Sequence, residues 1–260
     1  MKLENISLAL RPRGAYEATD LGIRLVQRNA GAVYRAWLVF AVPLMFLTAL
    51  LGMINPWLPA ILLWWLKPVY DRVVLHVLSR AVFGEQVSLP DMAAGWRQWL
   101  GNGLFGALTW RRFELARAFT LPLFTLEGLK GKRRRQRSKV LQKSTRAQAV
   151  LAQVAYLHIE YALYFSLIML LVMMLPAYTS VPIWSWMAFE DTPAGWTFIS
   201  STLYVLVISA VEPAYVGAGF ALYLNRRVEL EAWDIELTLR RSLDSEHGKS
   251  HDLAGSGAAA

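Results

Sequence analysis

The chain carries no charged side chain over 31 consecutive residues, AWLVFAVPLMFLTALLGMINPWLPAILLWWL (residues 36–66). A second window, residues 147–225, contains no Lys or Arg, so all 27 basic residues lie outside the two windows. A soluble fold spreads basic residues over its surface, whereas a polytopic membrane protein confines them to cytoplasmic loops. The pattern therefore predicts an all-α, polytopic integral membrane helical bundle.

The composition agrees with this class and excludes several kinds of site. Hydrophobic residues make up 55% and charged residues 18%, which is more apolar than an ordinary globular domain. The absence of Cys excludes disulfides, Cys-type zinc sites and thiol catalysis. The net charge of +8 lies beside the apolar windows, where anionic lipid headgroups are a nearer partner than nucleic acid. We expect lipid contact and no nucleic-acid binding.

The basic residues fall into three blocks, residues 2–35, 67–146 and 226 onward. If each block stays in the cytoplasm, each window crosses the membrane an even number of times. We therefore expect four crossings as two hairpins, with both termini cytoplasmic. The predicted segments are a cytoplasmic N-terminal segment (1–35), a first hairpin (36–70), cytoplasmic or interfacial helices with a polybasic loop (71–153), a second hairpin (154–225), a cytoplasmic amphipathic helix (226–243) and a disordered tail (244–260).

The return helix of the first hairpin is the less regular of the predicted crossings. Residues 57–70 are short for a crossing, contain Pro59 and Pro68, and have Lys67 near the end. The Lys67 ammonium can reach the headgroups by snorkelling, which lets a tilted helix cross the membrane. A re-entrant hairpin is the alternative.

Two segments between the windows look amphipathic rather than membrane-spanning. In residues 104–129, Arg111, Arg112, Arg117 and Glu114 would each cost about 3 kcal/mol at the bilayer centre. We therefore predict a segment that is interfacial or packed on the cytoplasmic ends of the bundle, and that Pro122 breaks. Residues 72–82 predict a helix along the membrane surface, or one packed on the helix near residue 104.

Glu212 followed by Pro213 is the candidate intramembrane polar site. An ionisable group at membrane depth is a functional-site hypothesis by default, and proline frees a backbone carbonyl near Ser209. The functional interpretation is an ion, proton or substrate site at a helix kink. The alternative is a structural carboxylate, buried neutral or bonded to another helix or to an interfacial Arg.

Two further patterns in the second window favour structural roles. His158 and Glu160, two residues apart, point to different sides of a helix and make a poor metal pair. Small residues at 210, 214 and 218, with Gly217 and Ala221 alongside, indicate close helix packing within the chain or, alternatively, in a homo-oligomer.

Two exposed segments are candidates for contacts outside the bundle. The polybasic segment is expected to hold anionic headgroups at about 1 kcal/mol per residue, or merely to fix topology. Its residues are Lys130, Lys132, Arg133, Arg134, Arg135, Arg137 and Lys139. In the C-terminal amphipathic helix, Leu230, Trp233 and Leu237 form an apolar stripe for partner docking. Because no catalytic, cofactor or metal motif is present, we expect no enzyme activity, cofactor or metal.

Four stretches together resemble a known protein family. They are RPRGAYEATDLGIRLVQR (11–28), LLWWLKPVYDRVVLHVLSRAVFGE (62–85), LTWRRFELARAFTLPLFTLEGL (108–129) and VEPAYVGAGFALYLNRRVELEAWDIEL (211–237). The resemblance is to uncharacterised proteobacterial inner-membrane proteins encoded beside a MoxR-type AAA+ ATPase, von Willebrand-type proteins and other membrane proteins. Longer members continue into a domain associated with transglutaminase-like proteins, so the chain is either a complete member or a membrane half.

The resemblance and the large cytoplasmic share favour a non-enzymatic inner-membrane subunit that scaffolds or anchors a larger assembly. Its expected partners are anionic lipids and other membrane proteins, including a MoxR-type ATPase. The alternative is a homo-oligomeric transporter or channel component that uses the Glu212–Pro213 kink.

Overall fold

The computed structural model describes residues 12–85, 87–101, 103–129, 131–175, 182–187, 190 and 192–231. Within those residues all regular secondary structure is helical. The helices are α1 (Ala15–Arg28), α2 (Ala30–Ile54), α3 (Trp57–Val82), α4 (Leu89–Ala94), α5 (Trp96–Gly101), α6 (Leu104–Leu108), a 3₁₀ turn (Trp110–Phe113), α7 (Arg117–Thr125), α8 (Gly131–Met173), α9 (Ile183–Met187) and α10 (Ala194–Glu231). The prediction of an all-helical fold is confirmed.

Three of these helices, α2, α8 and α10, are long and apolar enough to cross a membrane. In α10, 78% of the most apolar window is buried by the rest of the protein, against 22% in α2 and 11% in α8. Helix α10 is therefore the central helix, with α2 and α8 at the periphery. The exposed apolar side chains of α2 and α8 are those that a bilayer would cover.

Helices α2 and α3 form an antiparallel pair joined at Asn55 and Pro56. The Asn55 side-chain oxygen accepts a hydrogen bond from the Trp57 N–H (2.9 Å) at the start of α3. Helix α3 is not among the three candidate spans, so the fourth crossing remains a prediction.

The second half of α3 covers the segment predicted as a surface helix. Helix α3 continues past residue 70 to Val82, and residues 70–79 are all buried. Protein therefore surrounds this segment, and its position relative to the membrane surface stays a prediction. Its contact with α6 agrees with the other alternative, packing on the helix near residue 104.

Glycine lets two helices approach α10 closely. A Cβ added to Gly22 of α1 would lie 2.2 Å from the Gly217 carbonyl oxygen, and one added to Gly219 would lie 2.4 Å from the Ala118 Cβ of α7. Backbones can approach this closely only where side chains are absent. Gly217, Ala218 and Ala221 of the predicted stripe are therefore packed within the chain, as in the first of the two alternatives, whereas Ala210 is exposed and Ala214 is half-buried.

The predicted interfacial segment is interrupted earlier than expected. The helical path breaks between α6 and α7, at residues 109–116, and Pro122 lies inside α7. The prediction that Pro122 ends a helix is wrong. Proline removes one backbone hydrogen bond there, and α7 ends only three residues later.

Helix α8 includes most of the predicted polybasic loop. It begins at Gly131 and runs without interruption to Met173, so residues 131–146 are helical and not a loop. Its 43 residues correspond to roughly 65 Å, about twice the thickness of a bilayer core. A crossing by α8 would therefore leave part of the helix outside the membrane.

Helix α10 likewise runs through the predicted boundary at residue 225. It continues to Glu231, so the first residues of the predicted amphipathic helix are its last turns. Residues 232–260, with the predicted tail, lie outside the described residues. So do residues 176–181, between α8 and α9.

Candidate functional site

Glu212 of α10 is buried and holds two cations from other helices. One carboxylate oxygen accepts a hydrogen bond from the Arg117 guanidinium of α7 (3.1 Å), and the other lies 3.5 Å from the Lys67 Nζ of α3. Only 2% of Glu212 is exposed. These contacts fit a carboxylate bonded to other helices, and the interpretation of Glu212 as an ion, proton or substrate site stays a prediction.

Lys67 links Glu212 to a second carboxylate. Its Nζ donates to Glu160 of α8 at 2.5 Å, and the Tyr204 hydroxyl of α10 donates to the same carboxylate at 2.6 Å. Lys67 and Glu160 are both buried, at 6% and 3% exposure. The predicted snorkelling of Lys67 to the headgroups is therefore wrong, because its ammonium points into the bundle.

Arg117 links Glu212 to a third carboxylate. Its Nε lies 2.8 Å from Asp71 of α3, a residue with no exposed surface. The neighbouring Ala118 N–H donates to the Tyr215 hydroxyl (3.0 Å), which in turn donates to Gln153 of α8. Four helices, α3, α7, α8 and α10, thus meet in one network of five ionisable side chains, which we call the ionic network: Lys67, Asp71, Arg117, Glu160 and Glu212.

A cavity of about 290 Å³ lies against the ionic network, and its lining includes six Lys, Arg and Glu side chains: Lys67, Arg112, Glu114, Arg117, Glu160 and Glu212. The Arg112 guanidinium is held over the Trp64 ring (3.3 Å to its centroid) and donates to the Trp65 carbonyl at 2.9 Å and to the Trp64 carbonyl. The space is large enough for several water molecules or a small polar ligand. We call this space the charged cavity.

The cations contributed by the segment around α7 stay protonated at neutral pH. Burial lowers the pKa of Arg117, but Asp71, Tyr215 and Glu212 raise it above its ordinary value overall. Burial, followed by the nearby Arg117, lowers the pKa of Arg112 to about 10. Burial raises the pKa of Glu114 above its ordinary value. Both guanidinium groups therefore remain fixed positive charges beside the cavity.

The charges of the ionic network do not balance. Three carboxylates, on Asp71, Glu160 and Glu212, face two cations, on Lys67 and Arg117. Adding the other two charged residues of the cavity wall, Arg112 and Glu114, adds one charge of each sign. The five residues of the network alone therefore carry one net negative charge when every group is ionised, and the neighbouring Arg72, which is buried and interacts electrostatically with Asp71, offsets it.

Sequence reasoning found only one member of this network, Glu212. The sequence favours a structural role for Glu160, because His158, two residues earlier, is a poor metal partner for it. In the structure, the partners of Glu160 come from α3 and α10. Lys67 and Asp71 are four residues apart on α3, a spacing that places both on one side of a helix and was a usable signal. The sequence shows that Arg117 would be costly in a membrane, but it does not show which residues pair with Arg117.

The other predicted site residues are not members of the ionic network. Pro213 follows Glu212 inside α10, and the neighbouring Ser209 hydroxyl accepts from the Trp37 indole N–H (2.6 Å) and donates to the Val205 carbonyl (2.6 Å). Leu230 is exposed in the last turn of α10, whereas Trp233 and Leu237 lie outside the described residues.

The basic residues predicted to bind lipid headgroups lie on the first half of α8. Arg137 pairs with Glu127 and Glu231, and the Arg134 guanidinium lies 4.6 Å from the Phe124 ring centroid. Lys132, Arg133, Arg135 and Lys139 are exposed, and Lys130 lies outside the described residues. Headgroup binding by these residues stays a prediction.

Comparisons with protein-family models, curated proteins and solved structures found no match to the chain. The resemblance stated from the sequence therefore stays a prediction. Among the described residues, no group of three His, Asp or Glu side chains is placed to hold a metal ion.

Proposed function

We propose that the protein is a multi-pass transporter or channel component of a bacterial inner membrane, with Glu212 as part of a proton-conducting site. The observation that carries the proposal is the ionic network, buried among four helices against a cavity. Burying an ion costs several kcal/mol even after relaxation, and apolar packing often stabilises a fold as well as a buried ion pair does. Such groups at membrane depth typically mark ion or proton paths.

The arrangement of the side chains supports a proton as the species that moves. The linked side chains Tyr204, Glu160, Lys67 and Glu212 form a chain of donors and acceptors along which a proton can pass. The distribution of basic residues supports four crossings with both termini cytoplasmic. One copy of this small bundle forms only part of the wall of a pathway, so several copies would have to associate to enclose it.

The test uses the purified protein in vesicles that contain a pH-sensitive dye. A potassium diffusion potential set with valinomycin drives proton entry. The wild type should acidify the vesicles faster than protein-free vesicles do, and Glu212→Gln should return the rate to the protein-free level because Gln cannot exchange a proton. Glu229→Gln, on the same helix but outside the ionic network, is the control and should conduct like the wild type.

Equal rates for Glu212→Gln and the wild type would remove the proposal. A wild-type rate no greater than that of protein-free vesicles would remove it as well.

A second candidate function is the anchoring of a larger assembly, and one feature of α8 favours it. Five exposed basic residues recur at intervals of three or four on one side of the helix: Lys132, Arg135, Lys139, Lys143 and Arg146. We call them the basic stripe. If α8 continues straight from its apolar half, Lys132, Arg135 and Lys139 stand about 15 to 25 Å beyond the membrane end of the helix. Those distances exceed the roughly 8 Å over which headgroup charge acts at physiological salt, so an acidic protein surface suits this far part of the stripe better.

The anchoring function is tested by solubilising the tagged protein gently from its native membrane and identifying what stays bound. We expect an ATPase or companion membrane proteins in near-stoichiometric amounts, and their loss in Lys139→Glu/Lys143→Glu. The control, Ser144→Glu/Gln148→Glu, adds two acids on another side of the same helix and should keep the partner. Recovery of the chain alone from the wild type would exclude anchoring.

A further inference from the structure

A second cavity, of about 340 Å³, adjoins the charged cavity and has a different lining. Aromatic side chains make up much of its wall: Trp57, Trp64, Trp196, Tyr161, Tyr164 and Tyr204. Hydroxyl groups of Ser200, Ser201, Thr192 and Thr197 provide the polar part. Cavities of this size with an apolar wall and a few polar groups are the usual form of a small-molecule site. We call it the aromatic cavity.

Both cavities lie between α3 and α8 and along α10, and three side chains line both: Trp64, Tyr161 and Tyr204. These three residues, which we call the aromatic partition, form the part of the wall that the two spaces share. Lys67 and Glu160 line only the charged cavity and tie α3 to α8 directly beside the partition.

The charged residues hold the partition in place. The Tyr204 hydroxyl donates to Glu160 (2.6 Å), and the Lys67 Nζ lies 5.9 Å from the centre of the Tyr204 ring. On the other side, the Arg112 guanidinium covers the Trp64 ring. Glu160→Gln would therefore weaken the bond that holds Tyr204, since a hydrogen bond to an ionised acceptor is stronger than one to a neutral acceptor.

We infer that the aromatic cavity is a second compartment of the same intramembrane pathway, that it takes the apolar body of an organic substrate with one polar head, and that Tyr204 controls passage between the compartments. The inference rests on the proposed transport function and names its substrate class. An inorganic ion does not suit the aromatic cavity, because hydroxyls alone would replace little of its hydration. A molecule with an apolar body gains from the aromatic wall, while its head reaches Tyr204 and the ionic network.

The natural absence of Cys permits a test by single-cysteine labelling. Ser200→Cys places a thiol in the aromatic cavity and Leu157→Cys places one in the charged cavity. Ser166→Cys, exposed on α8 and lining neither cavity, is the control for a lipid-facing position. A membrane-impermeant thiosulfonate is added to right-side-out or to inverted vesicles.

We expect Ser200→Cys to react from one side of the membrane only, Leu157→Cys from the other side only, and Ser166→Cys from neither. Tyr204→Phe removes the bond to Glu160 and keeps the ring, so Ser200→Cys in that background should also react from the second side. Loss of a hydrogen bond to a charged group predicts an acceleration there of roughly tenfold or more. Glu160→Gln provides a second variant that weakens the same bond, in case Tyr204→Phe does not fold.

The substrate class is tested by protection of Ser200→Cys from labelling. Phenethylamine and phenylacetate have the same apolar ring with heads of opposite charge, and ethanolamine and acetate are the matched molecules without a ring. At millimolar concentration one of the ring compounds should slow labelling severalfold, and its ringless counterpart should not. The compound that protects identifies the charge of the head.

Equal reaction of Ser200→Cys from both sides in the wild type, or from neither, would overturn the two-compartment pathway. Unchanged sidedness in both Tyr204→Phe and Glu160→Gln would overturn the role of Tyr204, and absence of protection by either ring compound would overturn the substrate class. These outcomes are separate from the proton measurement. Sided labelling together with full proton movement in Glu212→Gln would remove the proton role alone.

Discussion

Gly22 and Gly217 show how a single hydrogen atom in place of a side chain can set the position of a helix. A Cβ added to Gly217 would lie 2.6 Å from a Val26 methyl carbon and 2.7 Å from the Gly22 carbonyl oxygen. Backbone atoms cannot move aside without shifting α1 along its whole length. The contact is therefore specific for glycine on both helices.

Gly217→Ala should lower the free energy of unfolding by about 2 kcal/mol or more, since overpacking a close contact typically costs 1–3 kcal/mol. Thermal unfolding of the purified protein in detergent measures the effect. Gly31→Ala is the matched control, because a Cβ there meets no atom within 4 Å, and it should be neutral or stabilising. Equal melting temperatures for the two variants would contradict the contact.

Lys67 is the residue whose loss should affect the ionic network most directly, because it contacts Glu160 and Glu212 at once. Lys67→Met should destabilise the protein by about 3–5 kcal/mol, the usual result of leaving a buried charge without its partner. Adding Glu160→Gln removes the uncompensated charge and should recover part of the loss. The same unfolding measurement checks both variants. If the double variant is no more stable than Lys67→Met alone, the ion pair is not the cause.

At the scale of the element, α1 and α2 run one after the other along α10 in the opposite direction. Contacts join Arg13 to Asn225, Gly22 to Gly217 and Trp37 to Ser209. Asn225 holds the start of α1 through two hydrogen bonds. It accepts from the Arg13 N–H (2.8 Å) and donates to the Arg13 carbonyl (2.9 Å).

Asn225→Ala should loosen the first turns of α1 and speed amide hydrogen exchange there. Each hydrogen bond contributes about 1 kcal/mol, so two together protect the segment appreciably. Asn225→Asp keeps the acceptor for the Arg13 N–H and loses the donor, and it should give an intermediate rate. Exchange measured by mass spectrometry on residues 13–20 checks the order of the three proteins. Unchanged exchange in Asn225→Ala would show that the packing of α1 on α10 holds the segment without these bonds.

At the scale of the whole molecule, the packing of α3 bears on the number of membrane crossings. Helices α2 and α3 contain 25 and 26 residues and pack against each other in opposite directions. The buried half of α3 is shielded from lipid by protein, which removes the cost of its charged residues. The tertiary structure thus offers a route for a fourth crossing that hydropathy alone disfavours.

Single cysteines at the two ends of α3 test this directly. Asn55→Cys and Glu85→Cys should be labelled by an impermeant reagent from opposite sides of the membrane, because a helix of this length reaches about 39 Å. Gly31→Cys, near the start of α2, should share the side of Glu85→Cys. Labelling of the Asn55 and Glu85 positions from the same side would instead establish the re-entrant alternative.

The sequence by itself determined the class of this protein, because segregation of charge from apolar runs is a property of composition along the chain. It also identified Glu212, since a lone carboxylate inside an apolar run is visible without any partner. The partners Lys67, Asp71, Arg117 and Glu160 are separated from it by tens of residues, and only the packing of α3, α7 and α8 on α10 brings them together. The same packing surrounds the second half of α3 with protein. The sequence shows that a charged side chain lies in an apolar run and would be costly in lipid. Only the tertiary structure decides which opposite charge offsets that cost, and whether protein or lipid surrounds the charged side chain.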